Sequence, residues 1–279
     1  MKFVKMHGLG NDFVFIEDKE GKNKDFSQLA VKMCKRHTGI GADGLIVIVP
    51  SEKADVRMRI INADGSEAEM CGNGIRCFAK YVYDHHIMAK DEFTVETLAG
   101  IMKPKVLTGE DGKVQLVTIN MGKPFPERRK IPMNGPSGTV INEPLTVDGK
   151  EYRITSLLMG VPHTMIYVKD MEQVDLPVLG PKFETHPAFP KKTNMNFVQC
   201  IDSHTIKVHT WERGAGATLA CGTGSCACAV GSFLNGFTGR QVDVQLYLGT
   251  LHIDYSETDG NVYMTGPAAV SYTGEWEEK

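Results

Sequence analysis

The chain contains no apolar run long enough to cross a bilayer, and no secretory leader is expected. Met1 to His7 meets Gly8 and Gly10 before any apolar stretch develops. A basic stripe is also missing. The 31 Lys and Arg are scattered among 34 Asp and Glu, for a formal net charge of −3, so no surface is offered to nucleic acid or to an anionic membrane. Zinc-type spacing is absent as well. Structural zinc needs Cys pairs two to four residues apart in turns, whereas the cysteines at 71, 77, 221, 226 and 228 fall along expected helices and point apart, so no metal is expected. Seven cysteines, an odd number without a leader, read as reduced thiols in a cytoplasmic protein.

What is present is enough apolar material, 42% of 279 residues, for one large domain or two ordinary ones. Phe3 to Ile16 reads as two short strands around a Gly8–Asp12 turn, which puts Asn11 on a tight loop. A helix is expected from Ser27, as N-cap, to Thr38-Gly39. Leu45–Val49 reads as a buried strand and Val56–Ile61 as a half-exposed one; a helix then runs from Gly74 to about His85. Strands are expected at Phe93–Thr97, Ile101–Leu107 and Val114–Met121, the last two joined at Glu110-Asp111-Gly112. Residues 123 to 144, rich in Pro, Gly, Asn and charge, read as a connector. Beyond it the grammar repeats. Strands at Leu145–Val147, Tyr152–Leu158, Thr164–Val168, Asn194–Cys200 and Thr205–Trp211 precede a second apolar helix from Cys221 to about Asn235. A hairpin, Leu251–Tyr255 with Val262–Met264, turns at Asp259-Gly260. The expected fold is α/β: two pseudo-duplicated domains, each a barrel-like, mostly antiparallel sheet around a central helix, with the active site in the cleft between them.

Two stretches carry the chemistry. Cys71-Gly72-Asn73-Gly74 and Cys221-Gly222-Thr223-Gly224 are both Cys-Gly-x-Gly opening an apolar helix. Glycine lets the backbone approach a ligand, and the positive end of the helix favours an anion beside the sulfur, so each thiol is expected to ionise easily. Two opposed cysteines can invert a stereocentre, because one thiolate removes a proton from one face of a carbon while the other thiol delivers one to the opposite face. Cys34, Cys77, Cys200, Cys226 and Cys228 lack this setting and read as small hydrophobes. Gly222 to Ala227 also fits a G-x-G-x-x-A dinucleotide fingerprint, with Asp243 about 20 residues on. The context fails, since the preceding strand is expected to end near Trp211, nine residues before Cys221. No lysine sits in a motif for Schiff-base chemistry, so no cofactor is expected.

Lys5-Met6-His7-Gly8-Leu9-Gly10-Asn11-Asp12-Phe13, Asn62-Ala63-Asp64-Gly65-Ser66, Met70 to Cys77, Met159-Gly160-Val161-Pro162-His163 and Trp211-Glu212-Arg213-Gly214-Ala215-Gly216 through Gly224 together resemble the diaminopimelate epimerases. The resemblance spans nearly the whole chain. It implies cofactor-independent epimerisation of LL- to meso-diaminopimelate, a step toward lysine and peptidoglycan, with Cys71 and Cys221 as the acid/base pair and His163 and Glu212 setting their ionisation. By the same resemblance, amides of Gly72, Asn73, Gly222 and Thr223 hold the carboxylate at the reacting carbon. Asn11, Asn62, Asn194 and Arg213, with Glu212, grip the substrate's other polar groups. It also implies domains of residues 1–120 and 121–265, with 266–279 returning to the first. The only partners expected are the amino-acid substrate and a second copy of the chain in a homodimer.

Two positions depart from the family pattern. Val161 stands where many members have asparagine, and Gly44 where many have glutamine. Both departures remove a polar group expected near substrate, so a racemase of another amino acid is kept as the alternative. A silent amino-acid-binding protein on the same fold is the remoter one.

Overall fold

A computed structural model describes residues 1–20 and 25–277. The elements run β1 (Lys2–Gly8), β2 (Asn11–Glu17), α1 (Phe26–Cys34), β3 (Gly44–Val49), β4 (Val56–Asn62), β5 (Glu67–Ala68), α2 (Gly72–Asp84), β6 (Val95–Thr97), β7 (Gly100–Met102), β8 (Lys105–Thr108) and β9 (Val114–Asn120). Then come β10 (Val140–Val147), β11 (Lys150–Met159), β12 (Val161–Tyr167), α3 (Leu176–Glu184), β13 (Asn194–Cys200), β14 (Thr205–Glu212), β15 (Gly216–Thr218), α4 (Gly222–Leu234), β16 (Gln241–Leu246), β17 (Gly249–Tyr255), β18 (Val262–Pro267) and β19 (Ala269–Glu275). The chain divides into two units, Met1–Ile119 with Gly266–Lys279, and Asn120–Thr265.

The first unit is built on a sheet of order β19-β1-β2-β3-β4-β6-β7, with β5 on β4. The second runs β10-β11-β12-β13-β14-β16-β17-β18, with β15 on β14. Neighbours are antiparallel except where a helix carries the chain across. Those exceptions are β2 with β3 over α1 and β4 with β6 over α2 in the first unit, β12 with β13 over α3 and β14 with β16 over α4 in the second. A parallel pair needs such a crossover, and the helices supply it.

Each sheet is covered by helices, and the side-chain pattern follows. In β3 all six residues are buried. Leu45, Val47 and Val49 join Phe26, Leu29 and Met33 of α1 in one apolar cluster, while Ile46 lies against Gly74 of α2. This is why Leu45–Val49 is continuously apolar instead of alternating. Ile75, Phe78 and Val82 of α2 are wholly buried, each contributing about 1.5–3 kcal/mol of transfer free energy. Helix α4 packs against six strands, β11 to β14 with β16 and β17, so its sheet wraps it. Its residues are correspondingly small: Gly224, Ser225, Cys226, Ala227, Cys228, Ala229 and Gly231 are all buried. At Gly231 a Cβ would come within 2.6 Å of the Met165 sulfur.

The duplication is regular in numbering. Helices α1 and α3 have the same length and begin at Phe26 and Leu176; α2 and α4 begin at Gly72 and Gly222, and β2 and β12 at Asn11 and Val161. Every one of these pairs is offset by 150 positions. The caps repeat too: Asp25 accepts from the Gln28 amide at the start of α1, and Asp175 from the Val178 amide at the start of α3.

Several expectations are corrected. The N-cap of α1 is Asp25, not Ser27, and the helix ends at Cys34, well before Thr38-Gly39. Ser27 instead bonds the Gly65 carbonyl. Asn11 opens strand β2, paired with Gly8, so the turn is only Leu9-Gly10. Ile101–Leu107 is two strands, broken around Pro104. The 123–144 connector ends in β10, which starts at Val140. The strand expected at Thr164–Val168 begins at Val161. Strands β5, β15 and β16 and helix α3 were not anticipated; α3 carries Pro181 inside, a residue that argues against a helix. Cys200 is exposed, unlike Cys34, Cys77, Cys226 and Cys228.

Candidate active site

Cys71 is the N-cap of α2 (φ −141, ψ 121), its sulfur accepting the Gly74 amide at 3.4 Å. Cys221 is the N-cap of α4 (φ −123, ψ 110), its sulfur accepting the Gly224 amide at 3.4 Å. At Gly224 there is little room for a side chain. A Cβ at Gly224 would lie 3.2 Å from the Cys221 sulfur and 2.8 Å from Asn196 Oδ1. Gly72 and Asn73, like Gly222 and Thr223, form the first turn of their helices, where the dipole's positive end lies.

In the first unit Asn11 is a polar neighbour of this turn. Its Oδ1 lies 3.5 Å from the Cys71 sulfur and accepts from Asn73 Nδ2 at 3.2 Å. Its Nδ2 donates to Asp43 Oδ2 at 2.8 Å, which fixes which way the amide points. Asp43 is held by Arg36 at 2.9 Å, and Arg36 also bonds Asp12. Asp12 meets buried Lys5 at 2.7 Å. Burial works to raise the Asp12 carboxyl, but Arg36 and Lys5 outweigh it and hold it below the usual range. Arg76, fully buried, donates to the Gly72 carbonyl at 3.1 Å and Asn73 Oδ1 at 3.0 Å, bracing the turn from behind. Asn62 ends β4 with its amide on Ser66 Oγ at 3.0 Å.

The second unit gathers more of the expected residues. His163 on β12 is buried, with Nε2 3.0 Å from Thr223 Oγ1 and Nδ1 3.2 Å from Asn196 Nδ2. Thr223 Oγ1 is in turn 3.5 Å from the Cys221 sulfur. Burial, with Arg213 adding to it, pushes His163 down to about 3, so the imidazole is neutral. Glu212 ends β14 and accepts from Thr218 at 2.7 Å. Asn194 spends its amide on the backbone: Nδ2 donates to the Pro162 carbonyl at 2.8 Å and Oδ1 accepts the Arg213 amide at 2.8 Å. The Arg213 guanidinium bonds the Lys191 carbonyl at 2.8 Å.

Easy ionisation of both thiols does not hold for Cys221. Burial pushes its thiol well above the usual value and the neighbouring Glu212 carboxylate pushes it further, with Thr223 and the Gly224 amide pulling back. The helix terminus is outweighed because the sulfur is out of water. The ground for dismissing a dinucleotide site also changes. Strand β15 ends at Thr218, leaving two residues before Cys221. It is an antiparallel partner of β14, however, not the parallel strand of a βαβ phosphate turn.

Sequence reading passed over Asp43, Arg76, Asn196 and Glu184, all of which hold named site residues. Arg76 lay inside the Cys71 block itself. The others carry no local signal: Asn196 is placed by strand pairing, Asp43 by the loop before β3, and Glu184 by the end of helix α3.

The sheets, the crossover helices and the two capped thiols define a two-unit α/β protein of the fold seen in a Bacillus anthracis PhzF-family phenazine biosynthesis protein. That structure has a TM-score of 0.71 at 16% identity, covering 100% of this chain and 99% of the other. A probable proline racemase from Agrobacterium radiobacter K84 matches at TM-score 0.67 and 16% identity, over 100% of this chain and 93% of that one. A model of the diaminopimelate epimerase family matches residues 3–125 and 155–271. The diaminopimelate epimerase of Heliobacterium modesticaldum is 53% identical over 99% of both chains, and that of Pelotomaculum thermopropionicum 54% identical over 99% of both. The chain belongs to the diaminopimelate epimerase family, a family of isomerases.

Proposed function

We propose that this protein interconverts LL- and meso-diaminopimelate, with Cys71 and Cys221 as the two bases. One observation carries the reading: in both units a cysteine caps a helix, with its sulfur on the amide three residues on, at positions matched by the 150-residue offset. In this mechanism one sulfur, as thiolate, takes the α-proton and becomes a thiol. The other, as thiol, gives its proton to the opposite face and becomes a thiolate. Protons and charge balance, and the reverse reaction exchanges the two roles. Neither step calls for a cofactor.

Carbanion character at the α-carbon needs a preorganised positive environment. The first-turn amides of Gly72, Asn73, Gly222 and Thr223 supply it to the α-carboxylate. Positioned acid and base contribute on the order of 10²–10⁴-fold each. His163 and Glu212 set the ionisation of Cys221, the one through Thr223 and the other by its charge. Arg213, Asn11 and Asn62 take the substrate's remaining polar groups, and the hydrogen bonds of Asn194 suit it to holding Arg213 for that task. The domains are residues 1–120 with 266–279 and residues 121–265. Seven free thiols suit a cytoplasmic place in precursor biosynthesis.

A second substrate is favoured by Val161, an apolar residue opening β12 where many relatives carry an amide. The test is NMR in deuterium oxide, with reduced, metal-free protein given LL-diaminopimelate and, separately, a panel of L-amino acids. Inversion with deuterium incorporation confined to diaminopimelate supports the reading. Activity on another amino acid moves the substrate, and exchange on none of them refutes catalysis. Cys71→Ala and Cys221→Ala should each abolish inversion; either one inverting substrate at the wild-type rate would sink the two-base mechanism.

A further inference from the structure

Asn196 is buried on β13, one strand away from the Cys221 helix cap, and its four neighbours determine which way its amide faces. Nδ2 is 3.1 Å from the Thr164 carbonyl, a group that can only accept. Oδ1 accepts from Thr210 Oγ1 at 3.0 Å and lies beneath Gly224. The remaining N–H of the amide is therefore directed at His163 Nδ1, 3.2 Å away. A donor aimed at Nδ1 requires that nitrogen to be unprotonated, so the proton of the neutral ring sits on Nε2. Nε2 then donates to Thr223 Oγ1 at 3.0 Å. Because Nε2 then needs no hydrogen from it, the Thr223 hydroxyl is free to give its own to the Cys221 sulfur at 3.5 Å.

We propose that Asn196 is a positioning residue that fixes His163 as the Nε2–H tautomer and so makes Thr223 a hydrogen-bond donor to the Cys221 thiolate. The chain Asn196, His163, Thr223, Cys221 has one direction throughout. A thiolate at Cys221 is met by two donors, the Thr223 hydroxyl and the Gly224 amide, in a buried setting that otherwise disfavours it. The ionisable groups around the chain are Glu212 and Arg213 at the end of β14 and Cys226 and Cys228 on α4, and the substitutions below leave all four in place. The catalytic consequence rests on Cys221 being an acid/base thiol; the tautomer does not.

The first measurement needs no variant. Long-range proton–nitrogen NMR on histidine-labelled protein should show His163 Nε2 protonated and Nδ1 bare, and a proton on Nδ1 overturns the proposal whether or not the protein is an epimerase. The second is site-resolved alkylation of Cys221 by iodoacetamide against pH. Asn196→Asp offers Nδ1 an acceptor and should swap the tautomer. The Cys221 midpoint should then rise by about one pH unit, a tenfold loss of thiolate at a given pH. Inversion should slow about tenfold in kcat with KM little changed. Thr223→Val should reproduce the shift, and Thr223→Ser should restore it. The double variant Asn196→Asp with Thr223→Val should shift no further than either alone, whereas the field of a new carboxylate acting directly on the sulfur would add. Additive shifts, or an unshifted Cys221 in folded Asn196→Asp, overturn the proposal.

Discussion

Glu184 closes helix α3 and holds the strand end that carries Glu212 and Arg213, so Glu184→Gln tests how that end is fixed. Its Oε2 accepts the Trp211 indole N–H at 2.7 Å, and its Oε1 accepts the Gly214 amide at 3.3 Å and the Lys192 ammonium at 3.1 Å. Trp211 and Gly214 bracket the two site residues. Glutamine keeps the volume and one acceptor. With its oxygen on Trp211, that bond loses its charge assistance, about 1 kcal/mol, and the new amino group faces the Gly214 N–H and leaves it unsatisfied, about 1 kcal/mol more at this long distance. Lys192 is 52% exposed and adds little. The expected loss is about 2 kcal/mol, or roughly 4–8 °C in Tm.

The pH dependence gives the sharper check. Burial works to raise the Glu184 carboxyl, but the Trp211 indole, Lys192 and the Gly214 amide outweigh it, so in the folded protein it titrates below its ordinary 4.5. A depressed folded value means the carboxylate's stabilisation is complete above the unfolded value and fades as pH falls through the folded one. Urea unfolding of wild type and Glu184→Gln should therefore show a gap of about 2 kcal/mol at neutral pH that closes on acidification. A gap below about 0.5 kcal/mol at neutral pH, or one unchanged in acid, would refute the argument that this carboxylate pins the Trp211–Gly214 segment.

Glu212→Gln removes the carboxylate that raises the Cys221 thiol, so iodoacetamide should modify Cys221 at a lower pH, by about one unit; an unmoved midpoint would mean Glu212 acts elsewhere. Gly180→Ala would put a Cβ 2.4 Å from the Trp211 ring, and despite alanine's better helix propensity it should cost about 1–3 kcal/mol; a raised Tm would contradict the packing of α3 on Trp211. The matched caps make a paired test, in which Asp25→Ala and Asp175→Ala should each lower stability by about 1 kcal/mol in urea unfolding, and a neutral result at either site would show that its cap is not contributing.

The site was legible where chemistry is written in consecutive residues, and illegible where strand pairing assembles it. Cys71 and Cys221 announce themselves because each stands in a Cys-Gly-x-Gly run opening a helix, and glycine in a helix is conspicuous. Helix α3 was hidden by Gly180 and Pro181. Pro177 lies in the first turn, where no amide is needed, and Gly180 is required by the Trp211 ring above it, so tertiary contact overrides local propensity. Strand β15 is three residues long and leaves no periodicity to read. Asn196 sits in a buried strand whose neighbours Met195, Phe197 and Val198 read simply as core; only the pairing of β12 with β13 sets it beside His163. Cys221's resistance to ionisation was also invisible, because a motif shows the helix terminus but not the depth of burial.

The 150-residue offset turns the departures from the family pattern into a physical comparison. Strand register places Phe13 opposite Gly44 in the first unit and His163 opposite Asn194 in the second, and Gly44 in turn pairs with Asn62, the counterpart of Glu212. At Gly44 a Cβ would meet the Ile61 carbonyl at 2.9 Å, so that position has no room for the amide that its counterpart Asn194 uses to hold Arg213. The first unit solves the same problem one residue earlier, where Asp43 takes the Asn11 amide and the Asp12 N–H. The result is that the two thiols meet opposite partners. Cys71 faces an oxygen, Asn11 Oδ1, that can only accept; Cys221 faces a hydroxyl that the imidazole leaves to donate. The backbone cap is thus the same in both units, while the side chains around it differ.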